Sequence, residues 1–252
     1  MKRVVVFALL AGLGAATAAL LSRAPEVLRR VEAFHVREVR VEGTRFLSRT
    51  EAIRFLSLPP GTSVWDDLEP MEERLETHSL VEDVRIRRRL PSALLLEVEE
   101  KEPVALVATP ALAPVDEAGR LLPIDPAWHR LDLPLLLPPD VGEAGVLSPA
   151  ERKLLAGEMA KLARTDPAFL ARISDATLDR MGRMRARIWD RDRREGSMVT
   201  VHFSPGLSSR RVQEGLRVLG DARARFEGAR VVALDLRYDD QVVVRLDRST
   251  GG

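Results

Sequence analysis

His35, His78, His129 and His202 are the residues best suited to bind a metal or move protons near neutral pH. They share no close spacing, and no metal site follows from them. No H-E-x-x-H, G-x-S-x-G, S-x-x-K or phosphate-cradling glycine loop occurs in the chain. Adjacent acids stand at Asp66-Asp67 and Asp239-Asp240, where the surrounding residues read as turns and Asp is favoured for backbone hydrogen bonding. Cysteine is absent, which excludes disulfides and thiolate sites and leaves stability to burial. The expectation is a protein without catalytic residues, cofactor, metal or small-molecule substrate. A dispersed catalytic triad is the one arrangement that sequence leaves open, since such groups converge only in the fold.

Two basic runs admit a binding role. Arg183 to Arg194, with Trp189 inside it, has the charge to hold nucleic acid or an anionic envelope polymer. However, Arg183, Arg185 and Arg187 alternate with Met184, Ala186 and Ile188, and Asp190, Asp192 and Glu195 dilute the field. That pattern reads as the solvated face of a strand pair. Arg87-Arg88-Arg89 reads the same way, opposite Glu99 and Glu100. Lys plus Arg total 39 against 38 Asp plus Glu, a net charge of +1, so no global field calls for nucleic acid.

The elements that position these residues begin with an uncharged run from Val4 to Leu21, preceded by Lys2 and Arg3. As a helix it spans about 27 Å, close to the bilayer core. Val4, Phe7, Leu10, Leu13, Leu20 and Leu21 would face lipid, and Lys2/Arg3 would remain cytoplasmic. This predicts a single-pass inner-membrane protein with its bulk outside the cytoplasm. A cleaved signal sequence, with a small-x-small site at Ala16-Thr17-Ala18, is the alternative, and the length of the run favours the anchor. Gly12-Leu13-Gly14 is not a dinucleotide fingerprint, because Thr17 stands where the third glycine would be and no βαβ pattern follows.

Beyond the anchor, Glu26 to Phe34 reads as a short amphipathic helix. Val39 and Val41 alternate with Arg40 and Glu42, a half-buried strand closed by Gly43. Ser48 to Glu51 caps a helix through Leu56, stopped by Pro59-Pro60-Gly61, and a second helix covers Glu69 to Thr77. Val84/Ile86 and Leu94/Leu96/Val98 form two further strands joined at Leu90-Pro91-Ser92. The order is β-α-α-β-β, with the apolar side of the sheet packed on the helices. Further on, strands are expected at Val104 to Val107, Leu112 to Val115 and Leu121 to Ile124, then a surface loop from Pro134 to Pro149. A helix from Ser148 to Arg164 follows, then strands at Ala176 to Leu178, Met184 to Ile188 and Met198 to Phe203, with a turn at Arg191 to Gly196. Another helix covers Ser209 to Phe226, and Val231 to Tyr238 with Val242 to Leu246 complete a hairpin. The fold class is α+β. Residues 1–3 are a cytoplasmic tail, 4–23 a transmembrane helix and 24–35 a linker helix. The first domain takes 36–104, a second α+β domain with a mainly antiparallel sheet takes 105–248, and 249–252 are a tail.

Val242 to Leu246 is strongly β-prone. At a sheet edge its free N–H and C=O groups would template another chain; as an internal strand they would not. Sequence alone weighs the two equally.

Several groups together resemble the bacterial cell-division family FtsQ/DivIB and its POTRA domain. They are Val39-Arg40-Val41-Glu42-Gly43, Leu58-Pro59-Pro60-Gly61-Thr62, Arg89-Leu90-Pro91-Ser92-Ala93-Leu94 and Lys101-Glu102-Pro103-Val104-Ala105. Val115-Asp116-Glu117-Ala118-Gly119, Leu133-Pro134-Leu135 and Leu234-Asp235-Leu236-Arg237-Tyr238 continue the likeness. The turn after Tyr238, Asp239-Asp240-Gln241, departs from it by lacking a glycine, and the stretch before the anchor is short. The resemblance implies a non-enzymatic divisome scaffold that recruits the bitopic proteins FtsB and FtsL by strand addition at the C-terminal sheet edge. It makes Arg237 and Tyr238 contact residues beside the Val242 and Val244 backbone, with Arg237 offering a fork to an acidic partner and Asp235 structural. A POTRA-type periplasmic chaperone or assembly factor, with its working edge inside 36–102, is the alternative.

Overall fold

A computed structural model describes residues 26–109, 111–139, 146–190, 198–226 and 230–247. The segment from Val4 to Leu21, the turn at 191–196 and the tail at 249–252 lie outside these. Among the described residues, no helix is long and apolar enough to cross a membrane. The chain forms two compact units that divide between Lys101 and Glu102.

The first unit begins with a helical turn at 26–29 and a 3-10 turn at Glu32–Phe34. The expected continuous helix is interrupted at Val31, whose backbone is extended. Then come β1 (Glu38–Glu42), α1 (Arg49–Leu56), α2 (Glu69–Glu76), β2 (Val81–Arg89) and β3 (Ala93–Glu100), the expected β-α-α-β-β order. Ser48 caps α1 by accepting the Glu51 N–H at 3.1 Å. The sheet order is β1-β3-β2, with β1 parallel and β2 antiparallel to the central β3. Ala52 and Leu56 of α1 and Leu75 of α2 are buried with Val84, Ile86, Leu94 and Leu96 of the sheet.

Leu95 departs from the two-faced pattern, because it points to the polar face yet is only 3% exposed. Arg40 and Arg87 sit opposite it on the two flanking strands, where their aliphatic stems can cover it. The arginine run is otherwise absorbed locally. Arg87 pairs with Glu97 at 2.7 Å, while Arg88 donates to the carbonyls of Val64 and Asp66. Glu100 does not face that run. Its carboxylate accepts the N–H groups of Arg45, Phe46 and Leu47 at 2.7–3.0 Å and holds the turn after β1.

The second unit contains β4 (Ala105–Thr109), β5 (Ala111–Val115), β6 (Leu135–Leu136), α3 (Pro149–Thr165), α4 (Pro167–Leu170), β7 (Ile173–Leu178), β8 (Met184–Trp189), β9 (Met198–Phe203), α5 (Ser209–Arg225), β10 (Arg230–Asp235) and β11 (Val243–Asp247). The strands form one sheet in the order β11-β10-β9-β8-β7-β6-β4-β5. Leu155, Met159 and Leu162 of α3 and Val212 and Leu219 of α5 share a core with Met184, Ile188, Val201, Phe203 and Leu234.

The sheet is mixed. The pairs β10/β9, β7/β6 and β6/β4 are parallel, and the rest antiparallel. Two of the parallel joins have a direct cause. The chain returns through α3 between β6 and β7 and through α5 between β9 and β10, and a helical crossover sets strands parallel. The expected strand at Leu121 to Ile124 reduces to one bridge between Leu121 and Val115, where Pro123 limits pairing. The expected loop from Pro134 holds the internal strand β6, whose Leu136 is buried; two residues carry no periodicity to read. Asp166 starts the short α4 by accepting the Phe169 N–H at 3.0 Å. The V-D-x-x-G turn is built on buried Asp116, which accepts from the backbone and side chain of Arg120, while Arg152 of α3 donates to the Gly119 carbonyl.

Gly43 has φ +85°, and a Cβ there would lie 2.1 Å from the Val98 carbonyl oxygen. Gly61 has a similar φ of +80° with open space around it. In urea titrations Gly43→Ala should cost more than about 2 kcal/mol, against about 1 kcal/mol for Gly61→Ala.

Candidate partner-binding edge

β10 and β11 end the sheet of the second unit. β11 pairs antiparallel with β10, and among the described residues no strand lies beyond it. The direction of its backbone groups follows from the ladder. The Leu236 N–H is given to His202 of β9, so alternate residues of β10 bond to β9 and those between them, Ala233 and Asp235, face β11. Their partners are Arg245 and Val243, which leaves the N–H and C=O of Val244 and Leu246 directed away from the sheet. The side chains divide the other way. Val242, Val244 and Leu246 pack against the core, whereas Val243 is 46% exposed. The Val244 main chain thus points off the edge of the sheet, while Val243 exposes its side chain.

The turn between the two strands is fixed from α5. Ser208 caps that helix, accepting the Arg211 N–H at 3.3 Å. The largely buried Arg211 guanidinium donates to the carbonyls of Leu236, Tyr238 and Gln241 and pairs with Glu214 at 3.0 Å. One cation thus ties both arms of the hairpin turn to a helix.

β10 stops at Asp235, earlier than expected. Asp235 accepts from Arg237 through its backbone N–H at 3.1 Å, through Nε at 2.8 Å and through a terminal guanidinium nitrogen. This pairing holds the Asp235 carboxyl below its ordinary range and raises Arg237. The fork expected to reach an acidic partner is held by the chain's own aspartate. Tyr238 is 46% exposed at the turn. Its carbonyl is fixed by Arg211.

On the face of this sheet away from α3 and α5 lies a trough of about 500 Å³, lined in part by Asp175, Thr177, Arg185, Arg187, Thr200 and His202. Arg187 is bound to Asp175 at 2.7 Å and Arg183 to Asp179 at 2.6 Å, so two arginines of the basic run are paired within the chain. His202 titrates below its ordinary value of 6.5, first through burial, with Arg237, Arg185 and Arg245 adding to the effect and Asp235 opposing it. Among the described residues no three His, Asp or Glu side chains group as a metal site. Asp66 accepts the Ser63 N–H and Asp67 the Glu69 N–H, the turn roles that sequence assigns them.

Comparison with known proteins completes the picture. Residues 34–101 match the model of the POTRA domain, FtsQ-type. The cell division protein FtsQ of Myxococcus fulvus is 28% identical over 205 residues, covering 81% of this chain and 70% of that protein. Its namesake in Anaeromyxobacter sp. strain K is 28% identical over 225 residues, 84% of this chain and 71% of the relative. That of Syntrophotalea carbinolica is 29% identical over 148 residues, 58% and 49% of the two chains. This chain is thus similar to FtsQ proteins over most of its length, and its first unit carries an FtsQ-type POTRA domain.

The hairpin brings Arg237, Tyr238, Val242 and Val244 to one end of the sheet. Arg211 is the organising residue that sequence does not reveal. Its place in the first turn after Ser208 is legible, but its carbonyl partners lie 25 to 30 residues away. The Asp235–Arg237 pair has a readable signal, because residues i and i+2 share one face of an extended segment.

Two measurements follow. Arg211→Ala should lower stability by about 2 kcal/mol and speed amide exchange at Val243 and Arg245, with exchange in β2 and β3 unchanged. For His202, the folded chain binds the proton less readily than the unfolded one. Its contribution is therefore complete above pH 6.5 and is lost as pH falls below it. His202→Gln should flatten that part of the urea-midpoint against pH curve.

Proposed function

We propose that this chain is a non-enzymatic scaffold of cell division, held at the inner membrane by the Val4 to Leu21 segment with its bulk outside the cytoplasm. Its C-terminal edge recruits bitopic division proteins, FtsB paired with FtsL, by strand addition. The observation that carries this reading is the β11 edge, with the outer groups of Val244 and Leu246 unbonded within the sheet and a turn held rigid by Arg211. An added strand takes affinity from main-chain bonds and selectivity from flanking side chains, here Tyr238 and Val243. The names of the relatives support the division role, and the run from Val4 to Leu21 supports the tether. Partners tethered in the same membrane need only a modest interface, because confinement raises their effective concentration.

A proline tests the backbone directly. Val244→Pro removes an outward N–H while sparing the bonds to β10, a position where an edge strand tolerates proline. It should abolish capture of the FtsB/FtsL pair in co-purification with little change in melting. Tyr238→Ala should weaken capture about tenfold or more, as loss of a large interface aromatic does. Undiminished capture by Val244→Pro would overturn strand addition, and equal capture by both variants and the wild type would move the docking site off this edge.

A further inference from the structure

The sheet of the first unit has an edge of its own. β2 is nine residues long and, among the described residues, pairs with β3 alone. One of its outward groups is not open. The Ile86 N–H donates to the Glu72 carboxylate at 2.6 Å, a side chain of α2 that reaches over the edge from the helical face. Glu72 stands in the first turn of α2, 14 residues before its donor, Ile86, in sequence. No helix geometry requires it there: the Glu72 N–H is already bonded to Leu68, and the helix start is served by Asp67 on Glu69.

The strand that Glu72 covers is complementary to itself. β2 is acidic at its beginning, Glu82 and Asp83, and basic from Arg85 to Arg89. Two copies laid edge to edge and antiparallel would bring Asp83 of one opposite Arg87 of the other at two places, against one like pair where Arg85 faces its counterpart on the two-fold axis. That register also sets the outward Ile86 N–H, the donor that Glu72 occupies, against the Val84 carbonyl of the second copy. Unpaired edges of this kind are templates for association, and native sheets blunt them.

We infer that Glu72 is an edge guard: by taking the Ile86 N–H it keeps two copies of this chain from joining through β2. The guard acts on the POTRA-type unit alone and does not depend on what β11 binds. It also explains how a chain can carry a long, charge-complementary edge strand near the membrane, where local concentration is high, without pairing through it.

The chain has no cysteine, so a single introduced thiol reports without background. Arg85 is exposed on the polar face. On the axis of the antiparallel pair, residue 85 of each copy falls within disulfide reach of the other. The full chain in mild detergent, carrying Arg85→Cys, is oxidised with copper–phenanthroline, and covalent dimer is measured with Glu72, Glu72→Ala and Glu72→Gln. Arg85→Cys alone should cross-link slowly, and the added Glu72→Ala should raise the rate at least tenfold. The added Glu72→Gln, whose amide oxygen still accepts the Ile86 N–H, should stay near the slow rate. Melting of each variant separates association from unfolding: a fast rate with an intact cooperative melt supports the guard. Equal rates for Glu72 and Glu72→Ala would overturn it, as would a Glu72→Gln rate equal to that of Glu72→Ala.

Discussion

A β-sheet satisfies its main-chain groups by pairing, and its outermost strands cannot do so from within. Much of this molecule is arranged around that constraint. The sheet of the second unit runs from β11 to β5 and the sheet of the first from β1 to β2. Their ends are treated differently. β5 carries Pro114, which has no N–H to offer, and its Val115 is bridged by Leu121. β2 has its Ile86 N–H taken by Glu72. β11 carries neither device, and Arg211 braces the turn that presents it.

The helices of the second unit serve this arrangement in two ways. Their apolar faces supply the core that keeps the sheet on one side dry, through Leu155, Met159 and Leu162 of α3 and Val212 and Leu219 of α5. Their crossovers also set strand direction, placing β7 beside β6 and β10 beside β9 in parallel. Buried Glu158 of α3 accepts the Gly206 and Leu207 N–H groups at 2.9 and 3.0 Å, fixing the approach to α5. The position of Arg211, and hence of the hairpin turn, therefore traces back to contacts on the opposite helix.

Local order was legible in the sequence and long-range order was not. The β-α-α-β-β unit was readable because Val39/Val41, Val84/Ile86 and Leu94/Leu96/Val98 alternate and because Ser48 and Pro59-Pro60-Gly61 punctuate the helix between them. The C-terminal hairpin was readable from β propensity in Val242 to Leu246, not from alternation. Leu95 broke the two-face rule, and the residues opposite it whose stems can cover it, Arg40 and Arg87, meet it only once the strands pair. β6 was hidden by its length of two residues, and the parallel joins by their dependence on partners far apart in sequence. Of the candidate site, Tyr238, Val242 and Val244 could be placed by resemblance and β propensity. The engagement of Arg237 with Asp235 and the clamp by Arg211 required coordinates, since each turns on where a long side chain goes.

The Arg211 clamp has a mechanical consequence. A hairpin opened by tension peels first at its turn, where one bond breaks at a time. Here the turn is riveted to α5 through three carbonyls, so a pull along β11 loads its ladder in shear, with many bonds resisting together. A protein anchored through this strand would therefore let go abruptly above a threshold force and hold firmly beneath it.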